Sequence, residues 1–242
     1  MATKSEKARE RAERAAATLA AQKKAEQRRR ILSIVGVVVA IVVIVGVALG
    51  ISLTRGDDKV NAPVSSSYEL TIGPANAPHT VTIYEDFLCP FCNEFEHASR
   101  DGLAKLAAQG KVRVEYRPFN LLGPGYSIEA LNAFAVVKGN YPTGDVAKKF
   151  HDLLYDNQPS EKGPFPDMSK LVDLAVKAGA DKSKVEKAIE QTDSEKQWTT
   201  GATQEATSAG VNSTPTVLLD GKPFQQGGDM DELAANLLKQ LS

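Results

Sequence analysis

The sequence predicts an α/β domain carried behind one N-terminal membrane-spanning helix. Three observations predict it. An uncharged run extends from Ile31 to Leu53. Beyond it, strand and helix patterns succeed one another as β-α-β, then helices alone, then β-β-α. The only two cysteines of the 242 residues stand at the first strand-to-helix switch, as Cys89-Pro90-Phe91-Cys92.

The N-terminal part differs in charge from the rest. Residues 1–30 hold ten Lys/Arg against four Glu, a net +6, so the total of −1 leaves −7 on the remainder. This basic arm has no aromatic residue and one leucine, so it cannot bury a core and is expected to be solvated. It lacks the interleaved aromatics on which bases stack, and a nucleic-acid partner is not expected. Residues 31–53 would span roughly 35 Å as a helix, enough for a hydrocarbon core of about 30 Å. A cleaved signal peptide would carry a shorter apolar stretch behind a shorter leader. Arg28, Arg29 and Arg30 on one side and Asp57 and Asp58 on the other orient the span with its N-terminus in the cytoplasm. Everything after Leu53 is then expected outside the cell membrane, where disulfides persist.

Residues 54–67 (TRGDDKVNAPVSSS) read as a polar linker, and residues 68–242 as one folded domain, long enough for a single core. Tyr68–Ile72 is a short strand closed by Gly73-Pro74. Residues 80–87 form the strand that enters the cysteine motif. A helix follows over about 90–108, with Phe91, Phe95, Ala98 and Leu103 as its apolar repeat, and ends at Gly110. Val112–Tyr116 alternates as the next strand. Residues of about 120–209 form a helical insertion, with apolar faces such as Val146, Phe150, Leu153 and Leu154, or Leu171, Leu174, Ala175 and Ala178. Strands resume at residues 214–219, turn at Asp220-Gly221, and continue to Phe224. Asp229 with Glu232 three residues on opens a last helix as a capping box.

A cysteine at a strand-to-helix switch aims its sulfur along backbone N–H groups at the positive end of the helix dipole, which favours thiolate. Cys89 is therefore read as an exposed nucleophile and Cys92 as its resolving partner. Three other uses compete. A disulfide closing a four-residue loop stabilises by only about 2 kcal/mol, little for the sole disulfide of a long chain. A zinc site needs two more ligands, and His79, His97 and His151 are scattered. Two unrelated buried thiols are the third.

Two stretches, GPANAPHTVTIYEDFLCPFC (73–92) and AGVNSTPTVLLDGKPF (209–224), resemble the DsbA-like thiol–disulfide oxidoreductases of the thioredoxin superfamily, in their membrane-anchored branch. The resemblance implies a thioredoxin-like fold with a helical insertion. It implies a redox disulfide between Cys89 and Cys92, flanked by Pro90 and Phe91. It also implies a cis peptide before Pro215, with the backbone of Thr214 offered to the substrate chain. Many relatives carry a buried acid six residues before the first cysteine; here that residue is Ile83. Glu85 and Asp86 are the candidate proton acceptors instead. Pro-Phe replaces the Pro-His of the strongest oxidants, and the nearby acids are expected to disfavour thiolate further.

The expected function is an oxidase that introduces disulfides into exported proteins with free cysteines. It would be recycled by a membrane quinone-linked thiol oxidase and would need no cofactor and no metal. Two alternatives are a disulfide reductase using the same residues and a metallochaperone passing soft Cu(I) between thiolates.

Overall fold

A computed structural model describes residues 60–242 apart from Gly144 and Thr192. The expected basic arm and the 31–53 span lie outside the described residues. Among those described, no helix is long and apolar enough to cross a membrane.

The central sheet has five strands: β1 (Leu70–Ile72), β2 (His79–Glu85), β3 (Val112–Pro118), β4 (Thr216–Leu219) and β5 (Lys222–Pro223), in the order β1-β3-β2-β4-β5. Only the β2–β3 pair is parallel, its crossover supplied by α1 (Pro90–Ala108). Period-two alternation sorts the strands into two faces. Val81, Ile83, Val112, Val114 and Tyr116 enter the main core, all at 0% exposure, and Glu85 follows them onto that face. Thr82, Tyr84, Arg113, Glu115 and Arg117 take the other face. They form a paired network there, with Arg117 3.0 Å from both Glu69 and Glu115 and 3.1 Å from the Tyr84 hydroxyl.

The insertion comprises α2 (Tyr126–Asn140), α3 (Asp145–Asp156), α4 (Met168–Ala178), α5 (Lys182–Glu190) and α6 (Lys196–Ser208). Its expected apolar faces are core: Phe150, Leu154, Leu171, Leu174, Ala175 and Ala178 are buried in the same cluster as the sheet. The closing helix α7 (Met230–Gln240) packs on α1 so tightly that a Cβ on Gly102 would come within 2.6 Å of Leu238. Its cap differs in detail from the expected box. Asp229 accepts from the Glu232 N–H, but Glu232 reaches back to the N–H of Gly228, one residue before the cap.

The folded unit starts earlier than the expected boundary at Tyr68. Val60 and Ala62 pack against a second apolar cluster formed by Tyr84, Phe119, Ala206, Ala209, Val211 and Leu218, and the Asn61 N–H donates to Ala209 O at 2.9 Å. Val60 and Ala62, in a mostly polar tether, find the apolar part of the second sheet face, while Val64 stays exposed. At the far end, Asp220 (φ 51°) and Gly221 (φ 76°) make the two-residue hairpin turn, both in the left-handed conformation that such a turn demands.

Candidate active site

β2 delivers the chain to Asp86, a turn closes with Cys89 N–H donating to Asp86 O at 2.9 Å, and α1 begins. Cys89 is the N-cap in extended backbone conformation (φ −73°, ψ 119°), with Pro90 in the first helical turn, where a missing N–H costs nothing. No acidic residue occupies that turn, so nothing opposes the helix dipole. Both cysteines are free thiols in this structure.

The two sulfurs differ. The Cys89 thiol is lowered to about 6. A hydrogen bond from the Cys92 thiol is the largest cause and outweighs burial; the Thr214 side chain and the N–H groups of Cys92 and Phe91 add to it. At pH 7 thiolate then exceeds thiol by about ten to one. Cys92 is pushed well above its ordinary value by burial, by its bond to Cys89, and by the charges of Cys89 and Glu85. Of the acids near the motif, Glu85 bears on Cys92 through its charge, and none is among the main influences on the nucleophile, whose thiolate is favoured, contrary to the sequence expectation.

Cys89 is also less open than expected, at 5% exposed against 1% for Cys92. The loop before β4 comes close to it: Cys89 Sγ lies 3.4 Å from the carbonyl oxygen of Thr214, and the Thr214–Pro215 peptide is cis. The sequence thus brings Cys89, Cys92, Thr214 and Pro215 together across 125 residues. Phe91, at 58% exposed, projects outward beside them.

Of the two candidate proton acceptors, Asp86 is fully occupied. Its Oδ1 accepts from the Leu88 N–H at 2.9 Å. Its Oδ2 accepts from the N–H groups of Leu121 (2.8 Å) and Leu122 (2.9 Å) and from the Ser127 hydroxyl (2.7 Å). This carboxylate holds the 120–125 loop against the motif. Glu85 is different: Oε1 lies 2.6 Å from His151 Nε2, while Oε2 is buried without a partner.

Sequence reasoning missed His151, Glu96 and Gln158. His151, on α3, is wholly buried and pushed up to about 9; burial would lower it, but Glu85 and Asp152 outweigh that. Glu96 is the one charged residue on the buried face of α1, one turn after Cys92, and that mismatch was a legible signal. Gln158 Nε2 donates to the carbonyls of Phe87 and Cys89, both at 3.0 Å.

Glu85, Glu96 and His151 bring donor atoms within 4.8 Å of one another. They make a poor metal site, because both imidazole nitrogens are engaged, Nε2 by Glu85 and Nδ1 by Asp152 at 3.1 Å, and a histidinium offers no lone pair. Among the described residues no histidine or carboxylate completes a donor set with the two cysteines. His79 is bound to Asp220 at 2.9 Å, and His97 lies 3.9 Å from Asp156.

A family model described as thioredoxin matches residues 65–239, and the chain belongs to that family. Disulfide bond formation protein D of Bacillus subtilis (strain 168) is 27% identical over 194 residues, covering 77% of this chain and 83% of the relative. The reduced form of the disulfide bond oxidoreductase DsbG from Mycobacterium tuberculosis is 30% identical, with a TM-score of 0.59 over 76% of this chain and 90% of that one. Oxidised BdbD from Bacillus subtilis is 25% identical, with a TM-score of 0.65 over 77% and 99%. The protein is a DsbA-like thiol–disulfide oxidoreductase.

Proposed function

We propose that this protein is an oxidase of exported proteins, working outside the cell membrane from the single helix at residues 31–53, with Cys89 and Cys92 as its redox pair. The observation that carries the reading is the asymmetry of the two sulfurs, one a thiolate near neutrality and the other a buried thiol. In the disulfide form, a substrate thiolate attacks Cys89 Sγ and the electron pair of the broken S–S bond passes to Cys92, which takes up a proton. A second substrate thiol attacks the mixed disulfide. Cys89 leaves as the thiolate that its helix terminus stabilises, and the substrate leaves oxidised. A good leaving group at Cys89 speeds this last step.

Thr214 lines the approach to the sulfur, and its backbone is the surface along which a substrate chain would pair. Pro90 and Phe91 shape the other side. Glu85 is the proton acceptor and donor for Cys92, having a free oxygen and a charge felt at that sulfur; Asp86 serves as a loop anchor. The reduced enzyme would be reoxidised by a membrane quinone-linked thiol oxidase, as the resemblance implies.

The test is direct. The purified protein, oxidised, should accelerate disulfide formation in a reduced, unfolded substrate, with a reduction potential above thioredoxin's, which is about −270 mV. A potential at or below that value, without such acceleration, would make it a reductase. An alkaline phosphatase fusion after Leu241 should be active; an inactive fusion would reverse the placement.

A further inference from the structure

We propose that Gln158 is a positioning residue for the Cys89 nucleophile, its carboxamide clasping the carbonyls of Phe87 and Cys89 so that the sulfur stays among its hydrogen-bond partners. The inference rests on the reading of Cys89 and Cys92 as the redox pair and deepens it with a residue outside the motif.

Gln158 is aimed at the motif by the way α3 ends. Past Asp156 the chain makes one more turn, with the Asn157 N–H donating to Leu153 O and the Gln158 N–H to Tyr155 O, both at 3.1 Å. Pro159 then biases the backbone of Gln158 towards extended conformations, which stops the helix. The side chain crosses to the turn before α1, where its Nε2 meets two carbonyls at 3.0 Å, one for each of its hydrogens. Tyr155, from the same end of α3, packs its ring against that of Phe87, 5.3 Å between centroids.

Those two carbonyls belong to the frame that holds Cys89. Its N–H is fixed to Asp86 O at 2.9 Å. Its carbonyl accepts the Asn93 N–H at 3.1 Å, the first bond of α1, and Gln158 takes the second lone pair. Phe87 is 1% exposed, and its carbonyl has no donor other than Gln158 among the described residues. Removing the amide would leave that buried oxygen unpaired, a cost the turn could relieve only by rotating its peptides. With the clasp in place both backbone groups of Cys89 are anchored, and only χ1 is left to move the sulfur.

The position so fixed has a chemical use. The Cys92 thiol, Thr214 and the N–H groups of Cys92 and Phe91 surround Cys89 Sγ and hold it down to about 6 against the opposing effect of burial. No charged side chain is among the main influences on it; Glu85, at the end of β2, bears on Cys92, and Asp86 is bound to the 120–125 loop. When a second substrate thiolate attacks the mixed disulfide, a bond forms between the two substrate sulfurs and the bond to Cys89 breaks. The electron pair passes to Cys89 Sγ, which leaves into hydrogen bonds already in place. A turn free to rotate loses some of those bonds, making Cys89 a poorer leaving group and the reduced protein less favoured.

The test follows the Cys89 thiolate by its ultraviolet absorbance in the reduced full-length protein. Q158M keeps the length of the side chain and removes both donors; its midpoint should lie about one pH unit above the wild-type value near 6. In glutathione buffer at pH 7 its equilibrium should move about fivefold towards the disulfide. N93A is the control for general loosening. Asn93 Nδ2 donates to Tyr155 O at 2.6 Å, tying the same two helices without touching either carbonyl, so its midpoint should stay at the wild-type value. An unmoved midpoint in Q158M, or an equal rise in N93A, overturns the proposal and leaves the redox pair standing. A wild type that forms no Cys89–Cys92 disulfide in that buffer overturns the redox-pair reading, and the proposal falls with it. One measurement needs no variant to fold. In the reduced wild type the carboxamide protons of Gln158 should exchange with solvent about tenfold more slowly than those of an unbonded glutamine, and equal exchange also overturns the proposal.

Discussion

His151 Nε2 lies 2.6 Å from Glu85 Oε1, and neither side chain reaches solvent. An ion pair from the helical insertion is thus set into the sheet directly beneath the redox motif. Removing one partner leaves an uncompensated buried charge. His151→Ala is expected to cost about 3–5 kcal/mol of stability, read by denaturant unfolding. A loss below 1 kcal/mol would mean the pair is not buried as described.

The same pair sets a pH dependence. His151 is raised from 6.5 to about 9 in the folded protein. Its contribution is fully present below pH 6.5 and is lost as pH rises through 9. Glu96, raised to about 7, has the same sign over a lower window, from its unfolded value of 4.5 upwards. The oxidised protein, in which the cysteines do not titrate, should therefore melt at progressively lower temperature from pH 5 to pH 9. A melting temperature that climbs over this range would contradict both assignments.

Cys89 has the opposite sign. Its folded value of about 6 lies below the ordinary 9, so the stability it lends is present above pH 9 and lost as pH falls through 6. It operates only in the reduced protein. Reduction should raise the melting temperature, and the gap between reduced and oxidised forms should widen from pH 6 to pH 9. The His151 contribution, common to both forms, cancels in that difference. A higher melting temperature for the oxidised form would reverse the assignment of the thiolate.

Alkylation should separate the two sulfurs. In the reduced protein a small reagent should label Cys89 with a midpoint near pH 6 and leave Cys92 unlabelled. Because the Cys92 thiol is the largest cause of the Cys89 shift, Cys92→Ala should move that midpoint upwards while trapping mixed disulfides. An unmoved midpoint would place the cause at the helix terminus alone.

Asp86→Ala should be more damaging than its lack of chemistry suggests. It strips three donors, the N–H groups of Leu88, Leu121 and Leu122, of their acceptor, and leaves the Ser127 hydroxyl to Asn120 Oδ1 alone. The Leu88 N–H is buried and costs about 1–3 kcal/mol when left unpaired, while the half-exposed Leu121 and Leu122 N–H groups can turn to water, so a loss of about 2 kcal/mol or more is expected in thermal or denaturant unfolding. Wild-type stability would show the loop is held by other contacts.

What could be read in advance followed from local rules. The strand into Cys89, the helix over 90–108, the hairpin at Asp220-Gly221 and the approach of Thr214 to Cys89 were all legible, because periodicity, turn chemistry and the two motif stretches carry them. Two things were not. Val60 and Ala62 gave no periodic signal, yet tertiary packing against Tyr84 and Leu218 draws them into the fold. His151 was one of three scattered histidines, and only the folding of α3 onto the sheet puts it against Glu85. Glu96 was the readable omission: a carboxylate in register with Phe95, Ser99 and Leu103 on a buried face is out of place unless it has work there.

Gln158 has a consequence for how this domain could be re-engineered. Its single amide, in the segment after α3, clasps the carbonyls of Phe87 and Cys89 on either side of the nucleophile's turn. Along the chain, the helices between β3 and β4 look like an excursion that could be excised to leave a minimal scaffold. In three dimensions they supply the buckle of the catalytic turn and the histidine paired with Glu85 at the end of β2. A trimmed version would keep the strands and the two cysteines yet lose the frame that tells one sulfur from the other.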